Sequence, residues 1–363
     1  ELYGHNANEE LPIASTTKLM TALLTLEHVR LDKVFTQNDY EPAAVDSQIG
    51  LVPGEQMSVH DLLLALLLPS ADDAAEDLAF NIGRGSVARF VGMMNARARA
   101  LGLTHTHYST PAGLDTPGNY SSPADLVKLA SFLLAHHRFF ARAVGLPRAV
   151  LHTGDHVRDV VSTNDLLGKV PWIGGVKTGH TLDAGYVLIG SGHKDGMTLI
   201  SAVLGTSSEA ARDANTIALL EYGFANFHLV APVHAGSVRA RPTVRYRPGV
   251  RADVIAAGGF RRILPRSTRV TTRVEVPRQL AGPLRRHAVV GSLVVLADGH
   301  TMARIPLLLA SALPAVSPLT IAAGFITKPL TLLLLVVALG AGIALVVRRH
   351  VRTRASGVRR EAA

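Results

Sequence analysis

The chain has 363 residues and a mass of 38.5 kDa, long enough for two average domains, and 48% of its residues are apolar, enough for a sizeable buried core. It contains no cysteine, which excludes disulfide frameworks, thiolate zinc sites and a cysteine nucleophile. Charge is unevenly spread: residues 1–238 carry 16 Lys/Arg against 24 Asp/Glu, residues 239–286 carry 13 arginines against Asp253 and Glu275, and residues 348–363 carry six arginines against Glu361.

The chain opens at Glu1 without a charged-then-apolar leader. Glu1-Leu2-Tyr3-Gly4 reads like the end of a strand, so the N-terminal strand of a catalytic sheet is expected to lie upstream of it. From there to residue 228, helical periodicities alternate with apolar strands such as 186–189 and 198–203, the pattern of a mixed α/β domain.

Three short motifs stand out within that stretch. Ser15-Thr16-Thr17-Lys18 opens an apolar run at Leu19, so Ser15 reads as a helix start. On a helix, positions i and i+3 share a face, which lets Lys18 reach the Ser15 hydroxyl. A serine is a poor nucleophile until a base takes its proton, and a lysine does that only when burial or a nearby positive charge lowers its pKa. Alone the pair says little, because a Ser-x-x-Lys turns up by chance about once in a chain of this size. Ser191-Gly192-His193-Lys194 is such a decoy, read as a solvated hairpin loop.

Ser70-Ala71-Asp72 follows the apolar run 62–68 and Pro69, on an expected turn between two helices. A serine there can relay a proton to a leaving group, although Ser and Asp fill helix N-caps constantly. Lys177-Thr178-Gly179-His180-Thr181 reads as a strand, with Lys177 and Gly179 on one side and Thr178 on the other. Glycine lets a substrate lie close along a strand edge, and lysine offers a fixed cation for a carboxylate.

Residues 232–304 contain short β-favouring runs at 243–246, 269–276 and 292–296 between Pro-Gly, Gly-Gly and Asp-Gly turns, so 229–310 is expected to be a small all-β domain. Pro306, Pro314 and Pro318 interrupt the apolar stretch that follows, giving a linker over 311–328. Residues 329–347 are 19 in number, uncharged and rich in Leu and Val; at ~1.5 Å per residue they reach across a bilayer core. Lys328 and Arg348-Arg349 flank this expected transmembrane helix, and the arginines place the basic tail 348–363 in the cytoplasm and the remainder outside.

The order and spacing of the three motifs form the set of penicillin-interacting serine enzymes. The segment 12–22, the run 59–75 with Gly54-Glu55, Met93-Met94-Asn95, Thr110-Pro111-Ala112-Gly113-Leu114-Asp115 and the stretch from Asn164 to Tyr186 resemble the low-molecular-mass penicillin-binding proteins of the D-Ala-D-Ala carboxypeptidase type. The resemblance covers about residues 1–228. It implies a transpeptidase/β-lactamase-like α/β catalytic domain, and the family's architecture also includes a small β domain and a C-terminal anchor.

It further implies an acyl-enzyme on Ser15, with Lys18 as base and Ser70 passing a proton to the departing D-Ala. Lys177, Thr178, Gly179 and Thr181 would hold the terminal carboxylate, the N–H groups of Ser15 and His180 would hold the oxyanion, and Asp72 would line the substrate site. Peptidoglycan stem peptides are the implied substrates and β-lactams the implied covalent inhibitors, with no cofactor. One departure stands out: the family's second motif usually ends in asparagine, and Asp72 takes that place. An ionised carboxylate only accepts hydrogen bonds, and it would raise the pKa of a neighbouring lysine.

A class A β-lactamase shares the motifs but needs a deacylating glutamate, and residues 78–176 contain none. A D,D-endopeptidase stays open on sequence. A peptidoglycan-binding scaffold weakened by Asp72 is the competing non-enzyme reading, against which the intact Ser15, Lys18, Ser70 and Lys177 argue. The 16 histidines show no metal-binding spacing, so no metal is expected. The basic middle lies outside the cell on this topology, so no nucleic-acid partner is expected; a solvated arginine-rich face, or one meeting anionic envelope polymers, fits it.

Overall fold

The computed structural model describes residues 1–318, 321 and 329–358. The chain forms two compact units, Glu1–Leu229 and Val230–Ala363.

In the first unit, residues 1–4 form no strand. Their apolar members Leu2 and Tyr3 are exposed, and Tyr3 makes an edge contact with Tyr222 instead of pairing. The first regular segment is β1 (Leu11–Pro12), after which a 3-10 turn (Ala14–Thr17) runs into helix α1 (Lys18–His28). Ser15 thus sits on a tight turn just ahead of the α-helix. A hairpin, β2 (Val34–Thr36) and β3 (Gln56–Ser58), leads to α2 (Val59–Leu67), which Ser58 caps by accepting the Asp61 N–H. Then come α3 (Asp72–Ile82) and α4 (Val87–Ala100). The short β4 (Tyr120–Ser121) pairs with β1, and α5 (Pro123–His136) has both a Ser122 cap and proline in its first turn, the expected helix-start chemistry.

After α6 (Arg138–Ala143) and the hairpin β5 (Arg148–Leu151) and β6 (Arg158–Val161) comes a three-stranded antiparallel sheet. Its strands β7 (Ile173–Thr181), β8 (Gly185–Lys194) and β9 (Met197–Thr206) lie in chain order. The expected runs 186–189 and 198–203 fall inside β8 and β9. Residues 191–194, expected as a loop, are instead the end of β8, paired with Ile200, Leu199, Thr198 and Met197. The glycine that suggested a turn serves a close approach: a Cβ at Gly192 would lie 2.9 Å from the Trp172 ring. Helix α7 (Glu209–Asn226) packs against β8 and β9.

The core of this unit is built on α1, α2 and α3. Leu19, Met20, Leu23, Leu62, Leu63, Leu66 and Leu78 are fully enclosed, with Phe90, Leu126 and Phe140 closing it from α4, α5 and α6. A helix as apolar as α2 has no polar face to show to water, and all but its first histidine is buried. The motif-bearing ends of α1, α3 and β7 therefore start from a rigid centre.

The second unit is described separately. Strand β10 (Phe227–Val233) crosses the division. There follow β11 (Val238–Ala240), β12 (Thr243–Val244), β13 (Val254–Ala256), β14 (Phe260–Pro265), β15 (Val270–Glu275), β16 (Gln279–Leu280), β17 (Val289–Ala297) and β18 (His300–Leu309). Five of them form one antiparallel sheet in the order β11-β13-β18-β17-β15. Its core is apolar: Val254, Leu293, Val295, Leu307 and Leu309 are buried. Helix α8 (Pro329–Val358) contains the apolar stretch Leu332–His350, with mean hydropathy 2.2 and none of it buried. The helix continues past residue 347 through Arg348, Arg349, Arg352 and Arg354, because arginine is a good helix former and nothing in that run breaks the turn. Within the expected 311–328 linker, residues 319–320 and 322–328 lie outside the described residues, as do residues 359–363.

Candidate active site

The buried end of α1 brings a lysine against three oxygens. Lys18 is fully buried, and its Nζ lies 2.7 Å from Ser15 Oγ, 2.6 Å from Asp72 Oδ1 and 2.7 Å from the Ala112 carbonyl oxygen. As an ammonium it donates to all three. As a free amine it has a lone pair for the Ser15 proton at hydrogen-bond distance. Burial lowers the Lys18 pKa, while the charge and hydrogen bond of Asp72, then Glu76 and Asp46, push it back up; the net direction is down.

Ser15 is half-buried. Ala14 before it holds a left-handed φ of 46°, and the turn is fixed where Thr16 donates to the Ile13 carbonyl. The strand β7 presses against this turn. A Cβ on Gly179 would sit 3.0 Å from Ala14 Cβ, 3.1 Å from the Ser15 nitrogen and 3.2 Å from the Ile13 oxygen. Glycine is what lets the strand backbone come this close to the nucleophile.

Ser70 and Asp72 lie at the α2–α3 junction. Ser70 has a φ of 67°, is 5% exposed, and its Oγ has no hydrogen-bond partner. A buried hydroxyl without a partner, on left-handed backbone, is an exception to the usual pairing of buried polar groups. The expected alternative, that Ser70 caps a helix, does not hold: Ala71 is at the N-cap of α3 and no side chain caps it. The orphan N–H groups there are handled by the neighbouring loop and by Asp73. Asp72 N–H donates to the Ser47 carbonyl at 2.7 Å, and the fully buried Asp73 carboxylate accepts from the N–H of Ile49, Gly50, Leu51 and Ala74 at 2.9–3.3 Å. The loop is held from its other side by Arg158, which donates to the Ile49 and Gly50 carbonyls and pairs with the buried Glu55.

On β7, Lys177 is 1% exposed and donates to the Thr178 carbonyl at 3.1 Å. Burial first, then the charge of Lys18, puts its pKa well below the usual lysine range, with Asp72 opposing. Thr178 Oγ1 meets Thr163 Oγ1 at 2.5 Å, and Thr163 is anchored through its N–H to the Leu68 carbonyl. His180 is exposed and its ring lies 4.0 Å from that of Tyr186. Thr181 Oγ1 accepts from the Ala184 N–H, so it shapes the β7–β8 turn.

All the expected residues fall on three neighbouring elements: the 3-10 turn and α1, the α2–α3 junction, and β7. Lys18 links Ser15 directly to Asp72, and Lys177 senses both Lys18 and Asp72 electrostatically. Sequence reasoning missed Ala112, which acts through a backbone oxygen, and also Thr163, Asp73 and Ser47. Among the described residues, no group of three or more His, Asp or Glu side chains is placed to hold a metal ion.

A half-buried serine in contact with a buried lysine, beside an unpartnered serine and a second buried lysine, is an arrangement that can support serine acyl transfer. The family model described as D-alanyl-D-alanine carboxypeptidase, a peptidase family, matches residues 2–208, and the chain belongs to that family. It is 30% identical to D-alanyl-D-alanine carboxypeptidase DacF of Bacillus subtilis, over 84% of this chain and 80% of that protein. It is 37% identical to the D-alanyl-D-alanine carboxypeptidase of Streptomyces sp. K15, over 62% of this chain and 82% of that one. The crystal structure of penicillin-binding protein 5 from Haemophilus influenzae superposes with a TM-score of 0.66 at 27% identity, covering 86% of this chain and 93% of that one. The penicillin-binding transpeptidase-like fold implied by the motifs is therefore the fold of this chain.

Proposed function

We propose that this chain is a serine-type D-Ala-D-Ala carboxypeptidase that removes the terminal D-Ala from peptidoglycan stem peptides and is acylated by penicillin. The observation that carries this reading is the 2.7 Å contact between a desolvated Lys18 Nζ and Ser15 Oγ. In its free-base form Lys18 takes the Ser15 proton as Oγ attacks the carbonyl of the penultimate D-Ala. The oxyanion is held by the N–H groups of Ser15 and His180, in a role worth about 3 kcal/mol per donor. Ser70, the unpartnered hydroxyl, passes a proton to the leaving D-Ala nitrogen. Lys177 and the Thr178 and Thr181 hydroxyls receive the terminal carboxylate, and water then releases the acyl group from Ser15.

Asp72 weighs against the base, since its charge and hydrogen bond favour the Lys18 ammonium. Asp72→Asn is therefore expected to preserve or raise the acylation rate at neutral pH; a loss of activity would give Asp72 a positive role.

In the same proposal, the strands of residues 229–310 form a small all-β domain, and 329–347 of α8 cross a membrane, with the catalytic unit outside the cell and the arginines of 348–363 in the cytoplasm. Support comes from the 19-residue uncharged stretch and the flanking arginines.

The test is labelling of the full chain in detergent with fluorescent penicillin, beside Ser15→Ala. A covalent label that disappears in Ser15→Ala, together with D-Ala release from a D-Ala-D-Ala peptide, supports the proposal. A folded chain that takes no label would sink it.

A further inference from the structure

We propose that Glu76 is a positioning residue of this site, acting alongside Asp72 to set how firmly Lys18 holds its proton. The inference rests on the acyl-transfer reading above. Glu76 follows Asp72 by four residues on α3, so the two side chains rise on the same face of the helix. Glu76 is half-buried, and with Asn38, Asp39, Tyr40, Phe80 and Val87 it lines a cavity of about 380 Å³. The cavity gives its carboxyl room to change charge without breaking a packed contact.

The charged surroundings are known from each side. On α3 stand Asp72, Asp73 and Asp77, and on α1 stands Lys18. Asp39 and Tyr40 line the cavity from the loop after β2, where Asp46 also acts on Lys18 and Tyr40. The contribution from α4 is the apolar Val87, and Lys177 on β7 acts on Asp72 through charge alone. Burial first, then Asp72, pushes the Glu76 pKa up to about 7, with Lys18 opposing. The phenol of Tyr40 is pushed up to about 12, first by burial and then by Glu76, so it stays neutral while Glu76 titrates.

The consequence follows from charge. Below about pH 7 Glu76 is neutral and Asp72 is the principal anion favouring the Lys18 ammonium. As Glu76 ionises, a second negative charge joins it and Lys18 gives up its proton less readily. Glu76 thus raises the pH at which the base becomes free.

The experiment compares the pH dependence of penicillin acylation, as the second-order rate, for the wild-type chain and Glu76→Gln in detergent. The acid-limb midpoint is expected to fall by roughly half a pH unit in the variant, the size of a partly screened charge at short range. A side chain that only supports the fold lowers the rate at every pH and leaves the midpoint in place, and that result would overturn the inference.

Difference infrared spectroscopy supplies a readout that does not need turnover. The protonated carboxyl band at neutral pH, to which Asp77 also contributes, should lose its Glu76 component in Glu76→Gln, and that component, read as the difference between chains with and without Glu76→Gln, should titrate at lower pH when both carry Asp72→Asn. A band whose midpoint ignores Asp72→Asn would also overturn the inference. If no form of the chain acylates, the catalytic reading fails, and the infrared titration still decides whether Glu76 is coupled to Asp72.

Discussion

The two units treat charge in opposite ways. Among the described residues, every buried polar or charged side chain lies between Thr16 and Thr216, in the first unit, and these include Lys18, Lys177, Glu55, Asp61, Asp72, Asp73, Asp77 and Arg158. The second unit has an apolar core, and its arginines between residues 239 and 304 are exposed or partly exposed. Burying a charge costs several kcal/mol unless it is paired or hydrogen-bonded, so a chain keeps buried charges where they have work that solvated ones cannot do. Lys18 has a lowered pKa because it is buried, which is what the proposed role as base requires. The arginines of 239–286, exposed or partly exposed, are expected to add surface potential and little stability.

The sharpest way to break this contrast is to orphan one of the buried ions. Arg158→Met leaves Glu55 enclosed without its bidentate partner, which makes contacts at 2.7 and 2.9 Å, and frees the Ile49–Gly50 loop. Removing one member of a buried pair typically costs about 3–5 kcal/mol, read by thermal or denaturant unfolding. Burial pushes the Glu55 carboxyl up, but Arg158 and the N–H groups of Asp155 and Val52 outweigh it, and its pKa lies below the usual range. A depressed carboxylate stabilises above its unfolded pKa and loses that contribution as pH falls through the folded one. Wild type should therefore lose stability on acidification through this pair, and Arg158→Met should show less of that loss.

Asp73→Asn is the next largest. The amide keeps one accepting oxygen and turns a donor toward N–H groups that the carboxylate now satisfies, so at least one is left unpaired at a cost of about 2–3 kcal/mol. The same loop receives the Asp72 N–H through Ser47, so the acylation rate should fall along with the unfolding temperature. Full stability with lost activity, or the reverse, would separate anchoring from catalysis.

Asp73 also shows where the sequence stops being legible. Ser15, Lys18, Ser70 and Lys177 are readable because their chemistry demands fixed residue types at helical or strand spacing. Asp73 neighbours the second motif, but its partners at 49–51 are backbone groups without a signature. Ala112 only accepts from Lys18 through its backbone carbonyl, and Thr163 reaches Thr178 from the segment after the β5–β6 hairpin. The alternation of helices with strands such as 186–189 and 198–203 was readable from periodicity. The end of β8 was not, because Gly192 serves a close contact with Trp172 rather than a turn.

Asp77 tests the contrast from the opposite pH direction. Burial chiefly, with the charge of Asp73 adding and the Asn38 N–H and Asn81 opposing, pushes it up to about 7. A carboxyl raised this way contributes most below its unfolded pKa near 3.8 and loses that contribution as pH rises to about 7. Asp77→Asn removes the titration, so its stability relative to wild type should improve as pH rises from about 4 to about 7, by on the order of 1 kcal/mol. A difference that does not change with pH would mean that Asp77 does not titrate in this window.

The smallest effect belongs to the second unit, and it is informative because it is small. Arg241 pairs with Asp253 at 2.8 Å, but both side chains are about half exposed or more, so water and salt already screen them. Arg241→Ala should change unfolding by less than about 0.5 kcal/mol and leave penicillin acylation unchanged. If it instead costs as much as Asp73→Asn, the arginines of this unit are structural in a way their exposure hides, and the division between buried working charges and solvated surface charges would have to be abandoned.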